Sequence, residues 1–234
     1  MDKRRFELPV AVGLSLQSRS GKVRVIAEPR DDVEAEGDRL NVSGGEGGEP
    51  LQIRAGMGTG ALTVRCPAGT DINVGTHSGS VRLEGRFGEV SVTTMSGNIE
   101  IESADAVDSR TMSGSIRVGA CAGRCRASTV AGKLAIGRAG SASVSTMSGS
   151  VSIDEVAGAL KARSVSGSIV AACGCEGPIA VKTVSGKVHL GLPEGTAPDA
   201  CFKTMGHVEC GFPAGDDVHI EAMSISGTIE VVPE

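Results

Sequence analysis

Residues 77–101 read HSGSVRLEGRFGEVSVTTMSGNIEI. Two Ser-Gly dipeptides punctuate alternating apolar residues: Val81 and Leu83, then Val90 and Val92, then Ile99 and Ile101. Period-two alternation is the pattern of a strand with one buried face. The phrase recurs along most of the chain. Its glycines are Gly79, Gly97, Gly114, Gly132, Gly149, Gly167, Gly186, Gly206 and Gly227, at spacings of 18, 17, 18, 17, 18, 19, 20 and 21. A unit this short cannot enclose a core of its own and must stack on its neighbours, which predicts one coil of a β-solenoid per repeat.

Two positions after each glycine stand Val81, Ile99, Ile116, Leu134, Val151, Ile169, Val188, Val208 and Ile229. A second inward strand precedes each glycine, as in Val90/Val92, Ala142/Val144 and Ile179/Val181, and ends on Thr or Ser. Stacked at strand spacing, those closing hydroxyls are expected to bond along the stack. Odd spacings such as Leu83 to Val90 reverse the side-chain parity, so a turn or bulge must intervene. The expectation is a parallel coil of about 18 residues with two main β faces, the glycines forming its corners. A left-handed hexapeptide coil needs an apolar residue every six positions, and the column six after Val81 reads Phe87, Asp105, Ala122, Gly140. Right-handed winding is therefore expected.

The chain's first part is less regular. Leu14/Leu16, Ser20-Gly21 and Val23/Val25 repeat the phrase once, after which the period breaks. A hairpin is expected across Glu36-Gly37-Asp38, followed by a glycine-rich loop at 43–48. Open solenoid ends need covering, so residues 1–60 read as an N-terminal capping segment with the first coil, and 61–234 as the repeat solenoid, in one continuous domain.

Composition narrows the function. A net charge of −5 with no basic stretch gives no footprint for nucleic acid. Four Phe, no Tyr and no Trp leave few faces for stacking sugars or bases. No apolar run reaches the roughly 18 residues of a membrane span. Glu7 and Pro9 interrupt the N-terminal apolar stretch, so no signal peptide is read and a cytoplasmic location is expected. Seven cysteines, an odd number, fit reduced thiols.

Candidate chemistry is sparse. Gly56-Met-Gly58-Thr-Gly60 lacks the following helix that a phosphate loop needs, and reads as a plain loop. Cys121/Cys125 and Cys173/Cys175 lie three coils apart, too far for one zinc site, and read as small apolar turn residues. His77, His189, His207 and His219 occupy different columns; His189, His207 and Glu209 are the one outward cluster expected on adjacent turns. Asp31-Asp32, Asp154-Glu155 and Asp216-Asp217 lie in separate coils. Arg82, Glu100 and Arg117 form an expected ion ladder on neighbouring coils. No cofactor, metal or small-molecule site is read.

The column just before Ser-Gly holds His77, Met95, Met112, Val130, Met147, Val165, Val184, Met205 and Ile225. The need to fill the coil favours an inward row. Facing out, it would be an apolar stripe of the kind that marks partner surfaces.

The phrase CPAGTDINVGTHSGSV at 66–81, with the Ser-Gly repeats after it, resembles the bacterial putative-adhesin family of β-strand repeat proteins, a domain of unknown function. The likeness covers residues 5–234. It implies a β-solenoid without a recognised active site and, for many members, a role at the cell surface. Where that family commonly places Asp after Ser-Gly, this chain has Ser80, Asn98, Ser115, Lys133, Ser150, Ser168, Lys187 and Thr228. The expected function is a non-enzymatic structural or interaction module that binds a protein partner or itself. The alternatives are a self-polymerising cytoplasmic scaffold and a carbohydrate-active β-helix enzyme, for which no acidic, aromatic-lined groove is visible.

Overall fold

A computed structural model describes residues 2–7, 13–45, 49–55, 60–174, 176–213 and 215–233, with backbone alone for residues 2–7. Every regular element among them is a β-strand. The chain forms two compact units, Met1–Ala120 and Cys121–Glu234.

The first unit holds β1 (Asp2–Glu7), β2 (Leu14–Ser20), β3 (Val23–Glu28), β4 (Asp32–Gly37), β5 (Asn41–Ser43), β6 (Leu51–Arg54), β7 (Leu62–Pro67), β8 (Ile72–Ser78), β9 (Val81–Ser96) and β10 (Ile99–Ser113). Parallel register stacks its repeats: Val81 beside Ile99, Val90 beside Val107, Thr94 beside Thr111. The phrase at 14–25 joins this stack directly, with Leu14 beside Ile72 and Val23 beside Val81. On its other side lie β6 and β7, pairing Leu16 with Ile53 and Val25 with Val64. The β2/β3 coil is thus inserted between two coils that follow it in sequence. Strands β4 and β5 then run antiparallel along β7 and β6, and β1 pairs with β4. No hairpin forms across Glu36-Gly37-Asp38. The hairpin joins β5 to β6 instead, where Gly44 and Gly45 take positive φ of 85° and 88°.

The second unit contains most of β11 (Ile116–Ala131), then β12 (Leu134–Ser148), β13 (Val151–Val156), β14 (Leu160–Ser166), β15 (Ile169–Cys173), β16 (Ile179–Leu192), β17 (Asp199–Thr204), β18 (His207–Cys210) and β19 (His219–Pro233). Coils stack in sequence order as far as β16. There the order changes. The last strand pairs with β16 (Val181 beside Ala222) and, on its other edge, with β17 and β18 (Phe202 beside Ala222, Val208 beside Ile229).

The coil buries three columns, where two faces were expected. Phe87 pairs with Ala104 in the first unit; in the second, Ala139 pairs with Val156 and Val156 with Cys173. All five are buried. A fixed six-residue comb misses this column because the step from the first inward residue changes: six from Val81 to Phe87, five from Ile99 to Ala104, four from Ile169 to Cys173. A bulge between Ile101 and Ser103 absorbs one such change.

Glycine at the corner is a packing requirement. Gly149 has φ of 153°, and a Cβ there would collide with the Gly132 carbonyl oxygen. Beside this corner run the closing hydroxyls. They are buried, yet Oγ1 of Thr76, Thr94 and Thr146 and Oγ of Ser164 and Ser224 have no hydrogen-bond partner. The expected ladder along the stack does not form there, because equivalent atoms on successive coils repeat about 4.8 Å apart, beyond hydrogen-bond reach.

Candidate interaction surface

The row before Ser-Gly faces outward, against the expectation that it fills the coil. Strands β9, β10, β12 and β14 stay extended through the serine, so parity that turns Thr94 inward turns Met95 outward. In the first unit His77 is exposed, with Met95 44% and Met112 53% exposed. In the second unit the exposures are Val130 41%, Met147 56%, Val165 46%, Val184 43%, Ile225 59% and Met205 92%. The flanking registers set Met147 beside Val165, Val165 beside Val184, and Val184 beside Ile225, with Met205 next. One apolar side chain per coil therefore recurs about every 4.8 Å. Core packing does not account for it.

Lysine and arginine flank this stripe in the second unit. Lys161, Arg163 and Lys187 are exposed. Lys182 Nζ donates to Glu221 at 3.1 Å, and that bond holds the Glu221 carboxyl below its usual range. In the first unit two arginines pair with glutamates on neighbouring coils. Arg24 makes a two-pronged pair with Glu84 at 3.0 and 2.7 Å, and Arg82 Nε donates to Glu100 at 2.8 Å. Arg24, Arg82 and Glu100, with Lys22, Ser80 and Asn98, line a hollow of about 520 Å³ whose guanidinium groups are already engaged. The expected ladder thus forms between Arg82 and Glu100, and Arg117 lies alongside in a second hollow of about 290 Å³.

The outward cluster of His189, His207 and Glu209 does not assemble. With β19 inserted, His189 Nδ1 lies 3.3 Å from Glu230, and Glu209 sits beyond Glu230 on the next coil. Two of the other candidate carboxylates have structural partners: Arg30 holds Asp32 at 2.9 Å, and Asp217 accepts the Ala197 N–H at 2.8 Å. Asp154 and Glu155 are exposed on β13. No group of three or more His, Cys, Asp or Glu is arranged to hold a metal among the described residues.

No disulfide joins any of the six described cysteines. Cys121 and Cys125, expected at a turn, are both buried inside β11, and Cys173 fills the third column. Burial pushes the Cys66 thiol up to about 12. Hydrogen bonding to Cys121, and then burial, raises Cys125. Thiols held protonated in this way are poor nucleophiles. Cys201 and Cys210 are exposed. Cys175 and the loop residues 56–59 lie outside the described residues.

Residues 16–231 match the Toastrack DUF4097 family model. The chain belongs to the Toastrack DUF4097 family. Among solved structures, the chain is similar to a putative adhesin from Bacteroides fragilis NCTC 9343, at 12% identity over 99% of this chain and 96% of that one, with a TM-score of 0.48. A putative adhesin from Parabacteroides distasonis is similar at 12% identity, with the same coverages and a TM-score of 0.46. A putative cell adhesion protein from Clostridium sporogenes follows at 8% identity over 100% and 99%, with a TM-score of 0.30. No curated protein matches the chain. No helix among the described residues is long and apolar enough to cross a membrane.

Proposed function

We propose that this protein is a non-enzymatic interaction module: a right-handed β-solenoid of about 18 residues per coil that presents its corner stripe to a protein partner. The N-terminal cap lies within residues 1–60: β4 and β5 run antiparallel along the outermost coil of the first unit, and β1 pairs with β4. The observation that carries the reading is the exposed row Met147, Val165, Val184 and Ile225, one residue per coil. A monomer gains nothing from lining up apolar side chains in water, and such rows mark contact surfaces. The basic side chains Lys161, Arg163 and Lys187 beside it select a partner strand or helix that carries carboxylates around an apolar face. Corner glycines Gly149, Gly167 and Gly186 hold the row in line, because any side chain there would push neighbouring coils apart.

A reducing, cytoplasmic location is part of this reading. It is supported by the odd number of cysteines, seven, which fits reduced thiols. A cell-surface location is the alternative that the adhesin-type relatives suggest.

The test is site-specific photo-crosslinking in the native cell. A photoreactive residue at Val165 should capture one defined protein that the same residue at Ser152 does not. That protein, purified, should bind the wild type at least about tenfold more tightly than a Met147→Glu/Val184→Glu variant of unchanged melting temperature. Equal binding of both forms would remove the stripe from the function.

A further inference from the structure

The coil built from β17 and β18 ends the second unit with an open edge. Among the described residues, both strands are registered to β19 alone. The inward residues on β19, Ile220, Ala222, Ile229 and Val231, are fully buried, whereas Ala200, Phe202 and Val208 on the outer coil are only half-buried. Met205 at its corner is 92% exposed. An uncovered parallel edge offers unpaired N–H and C=O groups to another strand.

We infer that this edge pairs with the same edge of a second copy, β17 against β17 in antiparallel register, closing a two-fold dimer. Three observations select this occupant. The Asp199 N–H donates to Val218 on the β19 side, so the N–H and C=O of Ala200, Phe202 and Thr204 point to the free edge. Antiparallel pairing centred on Cys201 then sets Ala200 opposite the partner subunit's Phe202 as a hydrogen-bonded pair, using those free groups. The same register sets Asp199 opposite the partner subunit's Lys203, so each dimer gains two opposite-charge pairs across the strands. Finally, the outermost coil of the first unit is paired by antiparallel β4 and β5, so it does not present a parallel coil edge like that of β17 and β18. Contact between like ends closes a dimer; contact between unlike ends would build a filament. This inference is independent of the corner stripe.

Cys201 lies at the two-fold, in a non-hydrogen-bonded pair whose Cα atoms come about 4.5 Å apart, within reach of a disulfide. That provides the test. In a Cys210→Ser background, oxidation with copper phenanthroline and oxygen should join two chains through Cys201. The two thiols lose two electrons to the oxidant and release two protons. Cys201→Ser should abolish the cross-link. Sedimentation of the reduced protein should show a reversible dimer across the micromolar range. Lys203→Glu should weaken it at least about tenfold, and Asp199→Lys/Lys203→Glu should restore it. A monomer throughout that range, a cross-link independent of Cys201, or a double variant as weak as the single one would overturn the proposal.

Discussion

Two coils of this chain do the same job at the outside of their units and end up in opposite conditions. The β6/β7 coil buries Leu51, Ile53, Leu62 and Val64 at 2% exposure or less, because β5 and β4 pair along its outer edge. The β17/β18 coil has the same alternating pattern and, among the described residues, no such cover; Ala200, Phe202 and Val208 are half-exposed. In both units, a segment near one terminus is inserted one coil in from the outside: β2/β3 in the first, β19 in the second. The difference lies in what is added beyond the inserted strands. Three antiparallel strands in the first unit convert an edge into an interior, and their absence in the second leaves a surface available for association.

The sharpest way to break this comparison is at the corner glycines. A Cβ on Gly79 would collide with the Gly21 carbonyl oxygen, in a coil held from both sides. Gly79→Ala is expected to lose about 3 kcal/mol or more. Gly206→Ala makes the same collision with Gly227, but the outer coil is free to move away, and a loss below about 1 kcal/mol is expected. Urea denaturation of both variants compares them directly. Equal losses would mean that the outer coil is as firmly held as the inner one.

Truncating core side chains gives a smaller contrast of the same sign. Ile53 is fully buried between coils, so Ile53→Ala should lose about 3 kcal/mol. Val208 is half-buried, and Val208→Ala should lose about 1 kcal/mol or less. A Val208→Ala loss as large as that of Ile53→Ala would show that the open coil is covered in solution, and would count in favour of the dimer if the loss vanished on dilution.

Thiol labelling reads the comparison without altering packing. In dilute native protein, Cys201 and Cys210 should react with a disulfide reagent at once. Cys66 should react only as fast as the fold opens, since burial raises its pKa to about 12 and closes its access. Raising the pH from 7 to 9 should therefore leave the Cys66 rate unchanged wherever opening limits it. Denaturation without reductant should release all 7 thiols, and a count of three or fewer would place disulfides in the native chain.

The solenoid pattern was legible because the repeat imposes both the apolar columns and the corner glycines, and parity read along Val81, Leu83, Val90 and Val92 placed them correctly. The third column escaped because its step varies between four and six, so that Phe87 and Ala104 never line up on one comb. The outward turn of Met95 was decidable from the same parity, since Thr94 is inward and no break precedes Ser96. The interior that Met95 was expected to fill is occupied by the third column, Phe87 and Ala104. Spatial order at the ends was not legible. Identical repeats have interchangeable edges, and nothing in the residues of β19 states that it slots in beside β16. That insertion is also what separates His189 from His207 and Glu209.

The smallest expected effect reverses sign between the two regions. Thr94 is 2% exposed and its Oγ1 has no partner, so the hydroxyl was stripped of water on folding without return. Valine has the same branched shape and suits a strand. Thr94→Val should therefore be neutral or stabilising by up to about 1 kcal/mol. Thr204 occupies the same column on the open coil, but there it is half-exposed and its Oγ1 accepts the Gly206 N–H at 2.8 Å. Thr204→Val removes that bond where no packing replaces it, and should destabilise by about 0.5–1 kcal/mol. The two variants, melted side by side, measure how the same residue in the same repeat position changes its role with cover. A stabilising Thr204→Val would mean that the outer coil is already buried against something else.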